Sequence, residues 1–120
     1  MKKILFLGLG LLLILYSFIG YSQQNKFEGK KLLIYTKNGK GYVHENIPTS
    51  VETLQKSCAS MGVVTVLSDE PALFSSLKIN SFDAVIFSNT NNEAFDTEQQ
   101  REAFKMYCQS GKGFEGFILP

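Results

Sequence analysis

The sequence predicts an α/β domain built on a doubly wound, mostly parallel sheet that is truncated after about four strands. Three observations support this fold class. Short apolar runs recur along the chain, helical patterns separate them, and the runs lack the alternation of half-exposed strands. Strands joined in this way are parallel and connected by right-handed crossovers, so their carboxyl ends and the ligand-facing loops share one edge of the sheet.

The first strand and the helix after it are predicted from residues 30–62. Lysines bound the apolar run Leu-Leu-Ile-Tyr, which is typical of a strand buried on both faces. Thr49 precedes Glu52 by three residues, the spacing of a capping box, so we expect the helix to begin there. Apolar residues follow at helical intervals: Val51, Leu54, Cys58 and Met61. Gly62 is expected to end the helix.

The middle of the chain predicts two more strands with a short connection between them. Residues 63–67 are apolar and mostly β-branched, which favours a second buried strand. Residues 71–77 predict a short helix. Residues 83–88 form another apolar run and predict the third strand.

The second long helix is predicted to begin near Asp96 or Thr97. Gln99 or Gln100 is placed to complete its N-terminal cap, and Gly111 is expected to end it. A fourth strand is expected over residues 113–119.

The fold also predicts the state of the cysteines. If the strand order is 2-1-3-4, the helices that carry Cys58 and Cys108 lie on opposite faces of the sheet. That separation is too large for a disulfide bond, so both residues are expected to be small buried hydrophobic groups.

Residues 1–22 have the pattern of a secretory signal peptide. Lys2 and Lys3 form a basic start, residues 4–19 are apolar, and Gly20-Tyr21-Ser22 offers small residues at a cleavage site. We expect cleavage after Ser22, export to the periplasm or the medium, and a mature domain of residues 23–120. The alternative is an uncleaved leader that anchors the chain in the membrane.

The charge balance implies no polyanion partner. The chain has a formal net charge of +1, and removing the two leader lysines changes this to −1. The lysines at the start of the mature chain flank a strand and lack interleaved aromatic residues, which favours a solvated edge. We therefore expect no nucleic-acid partner.

Three motifs in order resemble one protein family. Residues 41–48 read Gly-Tyr-Val-His-Glu-Asn-Ile-Pro, residues 82–87 with Asn89-Thr90 form a strand and polar loop, and residues 99–114 form a helix with a glycine-rich turn. Together they resemble the ThuA-like, or trehalose-utilisation, family. The resemblance implies a class I glutamine amidotransferase-like fold, of the flavodoxin-like type, and a role in carbohydrate use.

The C-terminal residues depart from the family pattern. Family members continue after the turn with Phe-Val-Gly-Ile-His, whereas this chain has Ile118 in place of the histidine. Loss of one base in an ancestral Gly-Ile-His-Ser-Ala reading frame would produce Gly-Phe-Ile-Leu-Pro, the residues at 116–120. We therefore expect a frameshifted, catalytically incomplete remnant of a longer ThuA-like protein.

The candidate site lies where residues 36–47, residues 88–92 and residues from Gly116 onward are expected to converge. The resemblance implies that saccharide-binding residues lie in the first two segments: Tyr42, His44, Glu45, Asn89 and Thr90. Turn chemistry is an equal explanation for the asparagine-rich loop.

No catalytic residue, metal ligand or cofactor can be assigned from the sequence, so enzymatic activity stays open. The alternative function is a small non-catalytic module that binds a saccharide or a protein.

Overall fold

The computed structural model describes residues 25–75, 77–91 and 93–117. The predicted leader (residues 1–22) and residues 118–120 lie outside this part. The described chain contains a four-stranded parallel sheet of order β2-β1-β3-β4, which confirms the predicted topology. Its strands are β1 Lys31–Tyr35, β2 Val64–Ser68, β3 Ala84–Ser88 and β4 Gly113–Phe117. Its longer helices are α1 Ile47–Ser60 and α2 Glu98–Gln109.

The central strand β1 joins two cores on opposite faces of the sheet. Leu32 and Ile34 pack with Val51 and Cys58 under α1. The other face carries a larger, mainly aromatic core under α2 that includes Leu33, Tyr35, Phe74, Phe82, Val85, Phe95 and Tyr107. Both cysteines are free, and Cys108 packs on the aromatic side, so their predicted separation is confirmed. Cys58 is buried as expected, whereas Cys108 is only partly buried.

Two predicted elements differ from those in the structure. β2 was expected to be buried on both faces, but Val64 and Leu67 are each about half exposed, at 50% and 49%. The reason is its position at the edge of the sheet, paired only with β1 in the described chain. The helix expected over residues 71–77 is instead two 3₁₀ segments, Pro71–Phe74 and Leu77–Ser81.

The 3₁₀ segments follow from what the core requires. Phe74 and Ile79 both enter the aromatic core and are almost completely buried. Residues five apart lie roughly 140° apart around an α-helix, so one straight helix cannot direct both inward. Two short turns with a break between them achieve this.

The N-terminus of α1 also differs from the prediction. The helix begins at Ile47 with Asn46 at the cap position, and Thr49 forms no capping box. Pro48 lies in the first turn, where its missing N–H costs nothing and its fixed φ suits the helix. The predicted stop is correct, because Met61 is the C-cap and Gly62 has a φ of +72°.

The second helix begins as predicted. Thr97 caps α2 by accepting from the Gln100 N–H, and the Gln100 side chain accepts from the Thr97 N–H. This reciprocal pair is a complete capping box.

Neither α1 nor α2, nor any other helix in the described part of the chain, has the length and apolar character needed to span a membrane.

Candidate functional site at the carboxyl edge of the sheet

Three segments meet at the carboxyl edge of the sheet, as predicted. The Gly39 N–H donates to the Asn91 carbonyl oxygen at 3.2 Å, and the Asn91 side-chain amide donates to the Tyr42 carbonyl oxygen. These bonds join the loop after β1 to the loop after β3. The Asn89 N–H donates to the Phe117 carbonyl oxygen at 2.9 Å, which brings the end of β4 to the same place. This edge is where open α/β sheets bind ligands.

A buried polar cluster of Ser50, Ser88 and Asn89 lies between these loops and the body of the sheet. The Ser50 hydroxyl on α1 donates to the Ile47 carbonyl oxygen at 2.9 Å and lies 3.0 Å from the Ser88 hydroxyl at the end of β3. The Asn89 Nδ2 donates to the Ser50 Oγ at 3.2 Å. The cluster therefore attaches the first turn of α1 to the end of β3.

Asn89 forms the corner at which the chain leaves β3. Its φ of +54° is in the left-handed region, which asparagine tolerates better than most residues. The side chain is fully buried, and its amide nitrogen lies within 3.4 Å of the Ser88 Oγ as well as near Ser50. This geometry makes Asn89 a support for the loop rather than part of its surface.

The residues of the first loop are more accessible. The Tyr42 side chain is 69% exposed, and its ring meets the His44 ring edge to face with centroids 5.1 Å apart. Glu45 is exposed, and His44 is partly buried. In the second loop, Thr90 is partly buried. The structure thus presents an aromatic ring, an imidazole and a carboxylate on one short loop.

A cleft of about 240 Å³ opens beside the polar cluster. It is lined by Asn46, Thr49, Ser50, Thr53, Leu54 and Phe117. Sequence reasoning missed Ser50, although a signal was present. Ser50 follows Ile47 by three residues and precedes Leu54 by four, so helical periodicity places it on the face of α1 that packs against the sheet.

Two further contacts brace the second loop. The Tyr35 hydroxyl at the end of β1 donates to the Ala94 carbonyl oxygen at 2.6 Å, and Lys37 forms an ion pair with Asp96. Burial raises the pKa of Tyr35 well above its ordinary value, and nearby acids including Asp96 add to the shift. The Tyr35 hydroxyl therefore stays protonated and acts as a structural donor.

The metal-ligating and titratable groups of the described residues bear on the chemistry that the site can offer. Within residues 25–75, 77–91 and 93–117, no group of three metal-ligating side chains forms a candidate metal site. Burial raises the pKa values of Cys58 and Cys108, which disfavours the thiolate form that a nucleophile requires. The exposed loop carries hydrogen-bonding groups and an aromatic face, the combination that recognises a polar, neutral small molecule.

Comparisons with known proteins indicate the family. The ThuA family, described as trehalose utilisation, matches residues 31–117. The fold is similar to that of a crystal structure described as a ThuA-like protein from Bacteroides uniformis ATCC 8492, with a TM-score of 0.61 and 23% identity. That match covers 82% of this chain and 40% of the solved chain, so this chain spans less than half of that protein's length. No curated protein has significant similarity to the sequence.

Proposed function

This chain belongs to the ThuA, or trehalose-utilisation, family, and we propose that its domain binds a trehalose-type saccharide at the carboxyl edge of the sheet. The observation that carries the proposal is the junction of the two loops. The Asn91 amide donates to the Tyr42 carbonyl oxygen, which holds the loop with Tyr42 and His44 against the polar loop after β3. A sugar ring needs such a combination of an apolar face and several polar groups.

Each candidate residue has a distinct role in this proposal. The exposed ring of Tyr42 stacks against the apolar face of the sugar, and the edge contact with that ring orients His44. His44, Glu45 and Thr90 form hydrogen bonds with sugar hydroxyls. The buried Asn89 positions the loop from below.

We also propose that these residues form one side of a site and do not catalyse a reaction alone. Catalysis of hydrolysis or group transfer requires a nucleophile or base with an orienting partner. In the described chain, the thiols have raised pKa values, and the only histidine contacts an aromatic ring. The role that fits this arrangement is saccharide binding.

Replacing His44 tests the site. We expect His44→Ala to weaken trehalose binding about 5- to 30-fold, because a neutral hydrogen bond and its packing contribute roughly 1–2 kcal/mol. Its stability should stay within about 0.5 kcal/mol of the wild type, because His44 lies in a loop, is only partly buried, and has its ring contact with the exposed Tyr42. Isothermal titration calorimetry with trehalose and chemical denaturation measure the two effects. An unchanged binding isotherm in His44→Ala contradicts the assignment.

Tyr42 allows a matched control. Tyr42→Ala should also weaken binding, because it removes the stacking surface. Phe27 is likewise an exposed aromatic residue, 44% exposed, but it precedes β1 at the opposite end of the sheet. Phe27→Ala should leave trehalose binding unchanged, and equal losses in both variants would show that the effect is not local to the site.

Export is the second part of the proposal, and the sequence pattern of residues 1–22 supports it. We propose that the leader is removed after Ser22 and that the domain acts in the periplasm or outside the cell. Mass spectrometry of protein from exported fractions should give an N-terminus at Gln23. An intact N-terminus recovered with membranes would instead support the anchored alternative.

A further inference from the structure

Two side-chain oxygens at the carboxyl edge are buried without a hydrogen-bond donor. They are the Oδ1 atoms of Asn38, in the loop after β1, and of Asn91, in the loop after β3. Among residues 25–75, 77–91 and 93–117, no group donates to either atom. Burying an unpaired polar group costs about 1–3 kcal/mol, so each requires a physical explanation.

The orientation of each amide is determined by its other atom. The Asn38 Nδ2 donates to the Thr36 carbonyl oxygen at 3.0 Å, and the Asn91 Nδ2 donates to the Tyr42 carbonyl oxygen. Flipping either amide would place its oxygen against a carbonyl oxygen, where neither atom can donate. Both Oδ1 atoms are therefore acceptors that require a donor.

The two acceptors belong to one unit. The Gly39 N–H, one residue after Asn38, donates to the main-chain oxygen of Asn91. Asn38 and Asn91 thus lie in two loops that are bonded to each other at these positions. A single small ligand with several donors would satisfy both.

The chemistry of the ligand follows from the acceptors. Both are neutral amide oxygens, and a hard cation such as Ca²⁺ would need six to eight oxygen ligands. A nearby cluster of acidic or other metal-ligating side chains is absent from the described ranges. Neutral hydroxyl groups on a saccharide ring supply several donors without such a cluster.

We propose that Asn38 Oδ1 and Asn91 Oδ1 accept hydrogen bonds from hydroxyl groups of a bound saccharide and thereby select ligands that donate. This inference rests on the proposed saccharide site and adds two specificity-determining residues to it. A site with acceptors that would otherwise stay buried and unpaired strongly disfavours analogues that lack the donors.

Access to these oxygens requires a local rearrangement at the loop junction. Both atoms are shielded from solvent, so neighbouring side chains must move before a ligand can contact them, while the Gly39–Asn91 and Asn91–Tyr42 bonds keep the two loops joined. Gly39 and Gly41 give the first loop the backbone freedom for this rearrangement, and Gly41 has a φ of +129°. Association with the saccharide should accordingly be slower than diffusion permits, as for binding that depends on a conformational change.

The test uses trehalose and its singly deoxyfluorinated analogues, because fluorine is close to a hydroxyl group in size but cannot donate. Binding to the full chain, as processed by the cell, is measured by calorimetry. We expect at least two fluorinated positions to weaken binding to the wild type about tenfold. In Asn38→Ala, fluorination at one of these positions should no longer weaken binding, and in Asn91→Ala the same should hold for another position. The reason is that each variant lacks the acceptor for the hydroxyl group that fluorine replaces.

Asn25→Ala is the matched control. Asn25 uses both amide atoms, because its Oδ1 accepts from the Phe27 N–H at 3.2 Å and its Nδ2 donates to the Met61 carbonyl oxygen at 2.6 Å. It precedes β1, at the opposite end of the sheet from the site. Binding of trehalose and of every fluorinated analogue should match the wild type. Thermal melts of all three variants identify any loss that is due to unfolding.

The outcomes separate this inference from the proposed function. Suppose that the wild type binds trehalose, but fluorination weakens binding to Asn38→Ala and Asn91→Ala at the same positions and to the same extent as in the wild type. The inference is then overturned and the saccharide site stands. A crystal structure of the complex with both oxygens bonded only to water also overturns it. If the wild type does not bind trehalose, the proposed function fails and the inference fails with it.

Discussion

Ser50 should contribute more to stability than a serine in the first turn of a helix usually does. Its hydroxyl donates to the Ile47 carbonyl oxygen, so the bond with Ser88 requires Ser88 to donate. The Asn89 Nδ2 donates to the second lone pair of the same oxygen. One hydroxyl donor and two acceptor positions are thus all used. Ser50→Ala would remove the shared acceptor of two buried donors.

The cost can be worked from these contacts. Each of the two buried hydrogen bonds contributes about 1 kcal/mol, so Ser50→Ala should lower the free energy of unfolding by about 2 kcal/mol. For a domain of this size, that corresponds to a fall in Tm of roughly 8–16 °C. Urea denaturation should show a lower midpoint with an unchanged slope.

A second serine in the same helix is the control. The Ser60 hydroxyl donates to the Ser57 carbonyl oxygen at 2.7 Å, so it makes the same local bond as Ser50, but it is exposed and lies at the other end of α1. Ser60→Ala should change stability by no more than about 0.5 kcal/mol. If Ser50→Ala costs no more than Ser60→Ala, the polar cluster does not support the site and the reasoning is refuted.

Two further outcomes follow from the pKa shifts. The Lys31 N–H bonded to Asp83 lowers the pKa of that carboxyl, so the carboxylate stabilises the fold above its unfolded pKa of about 3.9 and loses that effect as pH falls through the lower folded value. Thermal melts between pH 7 and pH 2 should therefore show a shallower acid dependence in Asp83→Asn, and identical profiles would contradict this. Burial raises the pKa values of Cys58 and Cys108, so iodoacetamide at pH 8 should modify them slowly in the native protein and quickly in urea. If the protein denatured without reductant resists iodoacetamide because Cys58 and Cys108 are joined by a disulfide bond, the two cysteines are not kept apart on opposite faces of the sheet.

The sequence was sufficient for features that depend on neighbouring residues or on the handedness of connections. Apolar runs located the strands, and their alternation with helices predicted a doubly wound parallel sheet. With strand order 2-1-3-4 as the premise, this fold placed the two cysteines on opposite faces, as the structure shows. The Thr97–Gln100 capping box was found because both partners lie within one helical turn. The family resemblance was also readable, since its motifs are continuous segments.

The tertiary structure decided which side chains reach solvent and which polar atoms have partners. β2 has the composition of a buried strand, yet its place at the sheet edge exposes Val64 and Leu67. Asn89 is in a polar loop, yet it is fully buried because α1 places Ser50 over it from 39 residues away in sequence. Burial and hydrogen bonding depend on contacts between distant segments, and local composition does not specify which segments will meet.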